Sequence, residues 1–277
     1  MSDRDLKQQM SQFEAARIAA PVHLTPQPVG KVVAVHDGTD QDATVDALAN
    51  AIARRCAVEV TTVAPEKADA AVVLAELQRA AGRGDVLVVP SPFGRDYESE
   101  GRHSLSTTVD LLLACCDASV CIARAPIEDA ERCVSHPLVA LQIDRHRKVP
   151  ATALALALAK NGGELLLLST VDPHRAVHDE ELLARKLDPR DLSTEVLEGL
   201  ASARAAALTA DLQRHAGDWH VEPLVRFAIG DTVELALDEN EHRSGLLVCG
   251  RDRDAASDAA QRARRLVLNS PWPVLLV

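Results

Sequence analysis

The chain has 277 residues, 41 of them acidic and 30 basic, and its net charge of −11 argues against a broad nucleic-acid interface, which needs clustered positive charge. Aromatic residues make up only 2% of the sequence, so Ala, Val, Leu and Ile must form the core. No apolar run approaches the roughly 20 residues that a membrane span needs, and the six cysteines show no CxxC spacing. We therefore expect a cytoplasmic chain without membrane insertion, disulfides or a required metal.

Residues 1–30 are predicted to be an N-terminal helical appendage. Apolar residues recur there at helical spacing until three prolines, the first at Pro21, end the pattern. We expect this helix to dock on the body of the protein, with a partner-binding arm as the alternative. Its apolar positions are Leu6, Met10, Phe13, Ala16 and Ala20.

Residues 31–126 are predicted to form a first α/β domain. Apolar runs at 32–35 and 58–63 predict strands, and helical patterns follow each of them, to about residue 55 and over 68–81. A last unit begins at Asp85 and consists of an apolar run, a polar loop, a helix and a second apolar run. That unit is typical of two parallel strands joined by a helix.

Residues 137–277 are predicted to form a second, complete α/β domain. Strands are expected at 138–143, 165–171 and about 220–229, with helices to about residue 160 and over about 193–215. A further helix opens after Gly230, and the last unit runs from Ser244 to Val277.

The two last units repeat each other. When Val120 is aligned with Val274, Leu112 meets Leu266 at the same position of the helix. The repeat indicates a duplication in which the first copy lacks one helix and one strand. The missing strand must be an edge strand, because removing a central one would leave a gap in the hydrogen-bonded ladder. We expect two doubly wound open parallel sheets, with about four strands in the first and five in the second.

The sequence resembles the universal stress protein family, in a tandem arrangement of two repeats. The resemblance rests on a strand that ends in Asp, a next strand that ends in Val, the Gly-Asp-Thr helix start and the closing strand. The matching segments are VVAVHDGT and VALQID, VTTVAP and LLLLSTVDP, AIGDTVELALDENEHRSGLLVCG, and LNSPWPVLLV. They span nearly the whole chain after Lys31.

The resemblance implies the strand order 3-2-1-4-5 in the second copy and a pairing of the two closing strands across a two-fold axis. It also implies a ligand site outside the carboxyl ends of the strands, where the strand order reverses. The implied function is stress response or signalling through ligand binding and protein association rather than catalysis, with an adenine nucleotide as the candidate ligand.

The family's nucleotide site carries over onto specific positions. The Asp after strand one and the Val after strand two hold the base and ribose, and a loop with the pattern G-x2-G-x9-G-[S/T] holds the phosphates. The corresponding residues are Asp37, Val63, Val89, Gly94, Ser106 and Thr107 in the first copy, and Asp144, Val171 and Gly250 in the second.

Both phosphate loops depart from that pattern. In the first copy Pro90 replaces the first glycine and has no N–H to offer, although the loop keeps hydroxyl and basic residues. In the second copy Gly250 is in place, but the loop is shorter and its last pair is Ala260-Gln261. There Arg251 and Arg253 either clamp a phosphate or lie in a solvated turn. ATP is thus an open alternative, with the first copy as the better candidate.

Other motifs give no convincing catalytic or metal site. His174 and His178 have the spacing of a shared metal, but nothing supplies further ligands, and no GxSxG motif is present. The alternatives to a nucleotide-binding stress protein are a degenerate scaffold or binder of another small anionic or apolar ligand, and a weak nucleotide hydrolase. A homodimer is expected, because the trimmed first copy exposes a different sheet edge.

Overall fold

The computed structural model describes residues 25–66, 69–94, 106–124, 126–141, 148–172, 194–254 and 256–277. The helix predicted within residues 1–30 falls mostly outside them, and residues 25–30 form no helix or strand. Asp144, His174 and His178 also lie outside the described residues.

The elements follow the predicted alternation of strands and helices. The first half of the chain contains β1 (Val32–Val35), α1 (Asp42–Cys56), β2 (Val60–Val63), α2 (Ala70–Ala80), β3 (Val86–Pro90), α3 (Thr107–Cys115) and β4 (Ser119–Ala123). A short helix, α4 (Ala130–Ser135), connects the halves and was not predicted. The second half contains β5 (Leu138–Leu141), α5 (Lys148–Ala159), β6 (Glu164–Val171), α6 (Thr194–Trp219), β7 (Glu222–Ile229), α7 (Thr232–Glu241), β8 (Leu247–Cys249), α8 (Asp258–Asn269) and β9 (Val274–Leu276).

All described strands belong to one nine-stranded sheet with the order β2-β1-β3-β4-β9-β8-β5-β6-β7. The second half has the predicted five-strand order, and the first half has four strands with no described strand beyond β2. Neighbouring strands are parallel except β4 and β9, which pair antiparallel with Cys121 opposite Leu275. The expected pairing of the two closing strands is observed, since the antiparallel pairing of β4 with β9 joins the two predicted parallel sheets into one.

Helices cover both faces of the sheet. Helices α1, α4, α5 and α6 contribute to the apolar core on one face, and α2, α3, α7 and α8 contribute to the core on the other. This double cover explains why the strand runs are continuously apolar and why β1, β3, β4, β8 and β9 are buried throughout. Among the described helices, none is both long and apolar enough to cross a membrane.

Candidate functional site

The predicted site of the first half lies where β1 and β3 end side by side. Asp37 follows β1 and is 6% exposed. Its Oδ1 accepts hydrogen bonds from the backbone N–H of Thr39 at 3.1 Å and from the Thr39 hydroxyl at 2.6 Å. The carboxylate of Asp42 in turn accepts from the N–H groups of Asp37 and Gly38 at 3.0 and 3.1 Å. Side chains of nearby residues thus accept the hydrogen bonds of the backbone N–H groups in the loop after β1.

The second oxygen of Asp37 reaches the loop after β3. Its Oδ2 accepts a hydrogen bond from the backbone N–H of Gly94 at 2.5 Å. Gly94 has a φ of +74°, a conformation that glycine adopts without steric cost. The structure therefore brings these two predicted site residues together, but the N–H expected to bind phosphate is bonded to a carboxylate of the protein.

Gln41 makes a second connection between the same two loops. Its Oε1 accepts from the N–H of Ser91 at 3.2 Å, and its Nε2 donates to the carbonyl of Pro92 at 3.3 Å. Gln41 is 5% exposed. The sequence analysis missed this residue; its only signal was an amide side chain, able to donate and to accept, at the start of a predicted helix.

Ser106 and Thr107, the predicted phosphate hydroxyls, have different surroundings. Ser106 caps helix α3 by accepting from the N–H of Val109 at 3.3 Å, and it also accepts from the N–H of Phe93 at 3.3 Å. Thr107 is the first residue of α3 and is exposed. Of these two residues, Thr107 is the one whose side chain is exposed to solvent.

The predicted valines end strands, as expected, and their side chains pack in or against the core. Val89 is fully buried, and Val171 is 2% exposed. Val63 packs against the core on the α2 and α3 face. The carbonyls of Val63 and Val171 accept from the N–H groups of His36 and Gly230, both at 2.9 Å.

In the second half, Gly250 begins a loop in which two N–H groups are also bonded to carboxylates. Asp252 accepts from the N–H of Asp254 at 3.2 Å, and Asp254 accepts from the N–H of Ala256 at 3.0 Å. Ser257 then caps α8 by accepting from the N–H of Ala260 at 3.2 Å. The acidic side chains therefore make this loop a poor environment for an anion.

Arg251 does not form the phosphate clamp that the sequence allowed. Its guanidinium crosses to the first half and donates to the carbonyls of Leu112, Cys116 and Ala118 at 3.1, 2.5 and 2.5 Å. These carbonyls lie in and just after the last turn of α3, where a cation is favoured by the helix dipole. The side chain of Arg253 pairs with Asp117 at the surface. Both arginines therefore join the two halves.

Arg265 and Asp231 form an ion pair at the carboxyl end of the second half. Arg265 on α8 donates to both carboxylate oxygens of Asp231 at 2.7 and 3.3 Å. Asp231 also caps α7 by accepting from the N–H groups of Val233 and Glu234. Burial alone would raise the pKa of Asp231, but the hydrogen bonds from Arg265 and the helix outweigh it, so this pKa lies below its ordinary value.

The six cysteines are free thiols, and burial raises the pKa of five of them. Burial raises the pKa of Cys56 to about 11 and the pKa values of Cys133 and Cys249 to about 12. Such thiols are weak nucleophiles because the thiolate is the reactive form. Among the described residues, no group of three or more His, Cys, Asp or Glu side chains could hold a metal ion.

Comparison with known proteins identifies structures with a similar fold but no protein with a matching sequence. No protein-family model and no curated protein matches the sequence. A universal stress protein from Archaeoglobus fulgidus DSM 4304 is similar in structure, with a TM-score of 0.58 and 14% identity over 89% of this chain and 95% of that chain. A functionally unknown protein from Pseudomonas aeruginosa PAO1 reaches a TM-score of 0.49 at 12% identity over 88% of this chain and 80% of that one. The chain therefore has the α/β fold of a universal stress protein.

Proposed function

We propose that the chain is a tandem stress-response or signalling protein of the universal stress protein type, which acts by association rather than catalysis and holds no nucleotide in either cleft. The shared fold and the quoted motifs support the first part of this proposal. The hydrogen bond from the Gly94 N–H to the Asp37 carboxylate, at 2.5 Å, carries the second part.

That hydrogen bond opposes phosphate binding in two ways. A phosphate cradle needs backbone N–H groups that point at the anion and have no other acceptor. Here the acceptor is already present, and it is negatively charged, so an incoming phosphate would also meet like-charge repulsion. Pro90 removes a further N–H from the same loop.

The second cleft supports the same conclusion by a different set of residues. The N–H groups of Asp254 and Ala256 are accepted by the carboxylates of Asp252 and Asp254. Of the two arginines named as a possible phosphate clamp, Arg251 is bonded to carbonyls of the first half and Arg253 pairs with Asp117. Among the described residues, neither loop then presents both free donors and positive charge to a triphosphate.

Association rather than turnover is supported by the titratable groups near the clefts. His36 and Asp46 form a pair at 2.8 Å beside the end of β1. In the part of the chain that the structure describes, neither side chain bonds to a hydroxyl or thiol that would serve as a nucleophile. A general base without a partner to activate does not make an acyl- or phosphoryl-transfer site.

Thermal unfolding of the purified full chain, with and without about 1 mM Mg-ATP, tests the proposal. A ligand at about a hundredfold excess over its Kd stabilises the folded state by about 2.7 kcal/mol, which raises the midpoint by several degrees. We expect no rise. A clear rise would contradict the proposal and favour the nucleotide-binding alternative.

If the midpoint rises, two further measurements would show where the nucleotide binds and whether it is hydrolysed. Loss of the rise in the double variant Asp37→Ala/Thr107→Ala would place the nucleotide in the first cleft, whereas an unchanged rise would place it elsewhere. Phosphate release above a buffer blank, abolished by the same double variant, would favour the hydrolase alternative.

A further inference from the structure

Among the described residues, no strand or loop pairs with the outer edge of β2. β2 pairs with β1, and the carbonyls of Glu59 and Val63 accept from the N–H groups of Val32 and His36 at 3.1 and 2.9 Å. Backbone groups alternate in direction along a strand, so residues 59, 61 and 63 face β1. The N–H and C=O groups of Val60 and Thr62 therefore face away from the sheet.

The opposite edge of the sheet, β7, is protected against pairing. The N–H groups of Glu222 and Gly230 donate to the carbonyls of Gly163 and Val171, so the even-numbered residues of β7 face β6. Pro223 then lies at an outward-facing position, where its missing N–H costs the sheet nothing and denies a donor to another strand. Glu222 and Arg226 add charges to this edge, a recognised protection of edge strands.

β2 carries none of these protections. Its sequence, Val-Thr-Thr-Val, has no charge and no proline, and its residues are among the strongest strand formers. Both threonines are exposed. In the part of the chain that the structure describes, the one feature that limits pairing at this edge is the strand's length of four residues.

An exposed apolar side chain extends this surface. Val72 on α2 is 56% exposed, one of two large hydrophobic side chains that are exposed among the described residues. Gln78 of the same helix donates to the carbonyl of Cys115 and so marks the side of α2 that faces α3. Val72 lies about 120° from Gln78 around the helix, on the side away from α3. Because the strand order is β2-β1-β3-β4, that side of α2 is the one toward the β2 edge.

We propose that the β2 edge binds the β2 edge of a second copy of this chain in antiparallel, two-fold pairing, with Thr61 facing the partner's Thr61. This interface is independent of whether either cleft binds a ligand. It continues the nine-stranded sheet of one copy into that of the other.

The hydrogen-bonding pattern selects this register. With Thr61 on the two-fold axis, Val60 pairs with the partner's Thr62 and Thr62 with the partner's Val60, so every outward N–H and C=O of β2 finds a partner. A shift by two residues would instead require Val58, whose N–H already donates to Ala53 at 3.0 Å, or Ala64, which precedes Pro65.

Charge favours a second copy as the occupant in this register. Each β2 is uncharged over its whole length and is preceded by Glu59. The proposed register places Glu59 opposite the partner's Val63, so no two acidic side chains lie directly opposite each other despite a net charge of −11 per chain. The strand is short, so the buried area falls below that of a standard interface of about 1,600 Å² and the dimer is expected to be concentration-dependent.

Sedimentation velocity of the full chain over a range of concentrations tests this inference. We expect the wild type to shift from monomer to dimer, and Thr62→Pro to raise the dissociation constant about 10-fold or more, because each dimer loses two hydrogen bonds. Phe227→Pro is the matched control, since it removes an outward N–H from β7 and should leave association unchanged. Far-UV circular dichroism and the thermal midpoint verify that both variants fold.

A purely monomeric wild type overturns the proposal, as does undiminished association of folded Thr62→Pro. Loss of the dimer in Phe227→Pro alone would assign the interface to β7 and overturn it as well.

Disulfide trapping tests the register without disturbing the strand. In a background in which the exposed Cys115 is replaced by serine, Thr61→Cys places two thiols face to face on the axis, at a separation that a disulfide accepts. We expect covalent dimers on mild oxidation of Thr61→Cys and none with Phe227→Cys. Equal cross-linking of the two variants would contradict the proposed register.

Discussion

The carboxylate of Asp37 accepts a hydrogen bond from the backbone N–H of Gly94 at 2.5 Å, across 57 residues of sequence. The family resemblance assigns both residues to one nucleotide site, as separate contributors to a ligand. In the structure they are partners of each other, and the bond fastens the loop after β3 to the loop after β1. The same pair of residues thus contributes to stability by joining the two loops.

Replacing Asp37 should therefore destabilise the fold. Asp37→Ala leaves the N–H of Gly94 and both donors of Thr39 without an acceptor, and we expect a loss of about 2–3 kcal/mol in the free energy of unfolding. Urea denaturation monitored by circular dichroism measures this loss. Asp37→Asn is the matched control, because its remaining carbonyl oxygen still accepts one set of these bonds, and it should lose about half as much. A loss below about 0.5 kcal/mol for Asp37→Ala would show that the loops hold together without this bond.

Elements with strong apolar patterns were predictable from the sequence. The strand at Val32–Val35 was predicted with its observed bounds, and β6 began one residue earlier than predicted. Such strands are buried on both faces, so their apolar runs are unbroken. Helix α4 was missed because it has only six residues and makes less than two turns of pattern.

The roles of polar residues were not predictable in the same way. Gln41 and Arg251 act on partners 50 or more residues away, and no local pattern encodes such distant contacts. The positions of Asp37 and Gly94 in one cleft followed from the family resemblance, but their bond to each other depends on the path of a loop that departs from the family pattern.

Arg251 should contribute more to stability than its neighbour Arg253. Arg251→Ala removes hydrogen bonds to three carbonyls near the C-terminus of α3, and we expect a loss of about 2–3 kcal/mol by urea denaturation. Arg251→Lys should recover only part of it, because an ammonium cannot reproduce the planar fork of a guanidinium. Arg253→Ala is the control, since its ion pair with Asp117 is about 60% exposed, and it should cost less than about 1 kcal/mol. Equal losses for the two alanine variants would refute the role given to Arg251.

The ion pair of Asp231 with Arg265 should make stability depend on pH. The pKa of Asp231 is below its ordinary value in the folded state, so the charged carboxylate stabilises the fold above the unfolded pKa of about 3.9. This contribution disappears as the pH falls through the lower, folded-state pKa. Asp231→Asn keeps a helix-capping side chain but loses the charge, and it should cost about 0.5–1 kcal/mol at pH 7, since the pair is partly exposed.

Urea denaturation of the wild type and Asp231→Asn between pH 7 and about pH 3 checks the pH dependence. The difference between the two proteins should shrink toward the acidic end. A difference that stays constant with pH would mean that the carboxylate charge does not provide the stabilisation.

Gly245 should not tolerate a side chain. A Cβ at this position would lie 2.1 Å from the carbonyl oxygen of His136, a backbone atom next to β5 that cannot move freely. The N–H and C=O of Gly245 are also both bonded to the side chain of Asn240, at 3.1 and 2.9 Å, so the local backbone is fixed. We expect Gly245→Ala to lower the free energy of unfolding by about 3 kcal/mol or to prevent folding.

Gly82→Ala is the matched control. A Cβ there would meet nothing within 4 Å, and the change should be neutral or stabilise the fold by up to about 1 kcal/mol. Comparable thermal midpoints for the two variants would show that the contact between Gly245 and His136 does not constrain the join between α7 and β8.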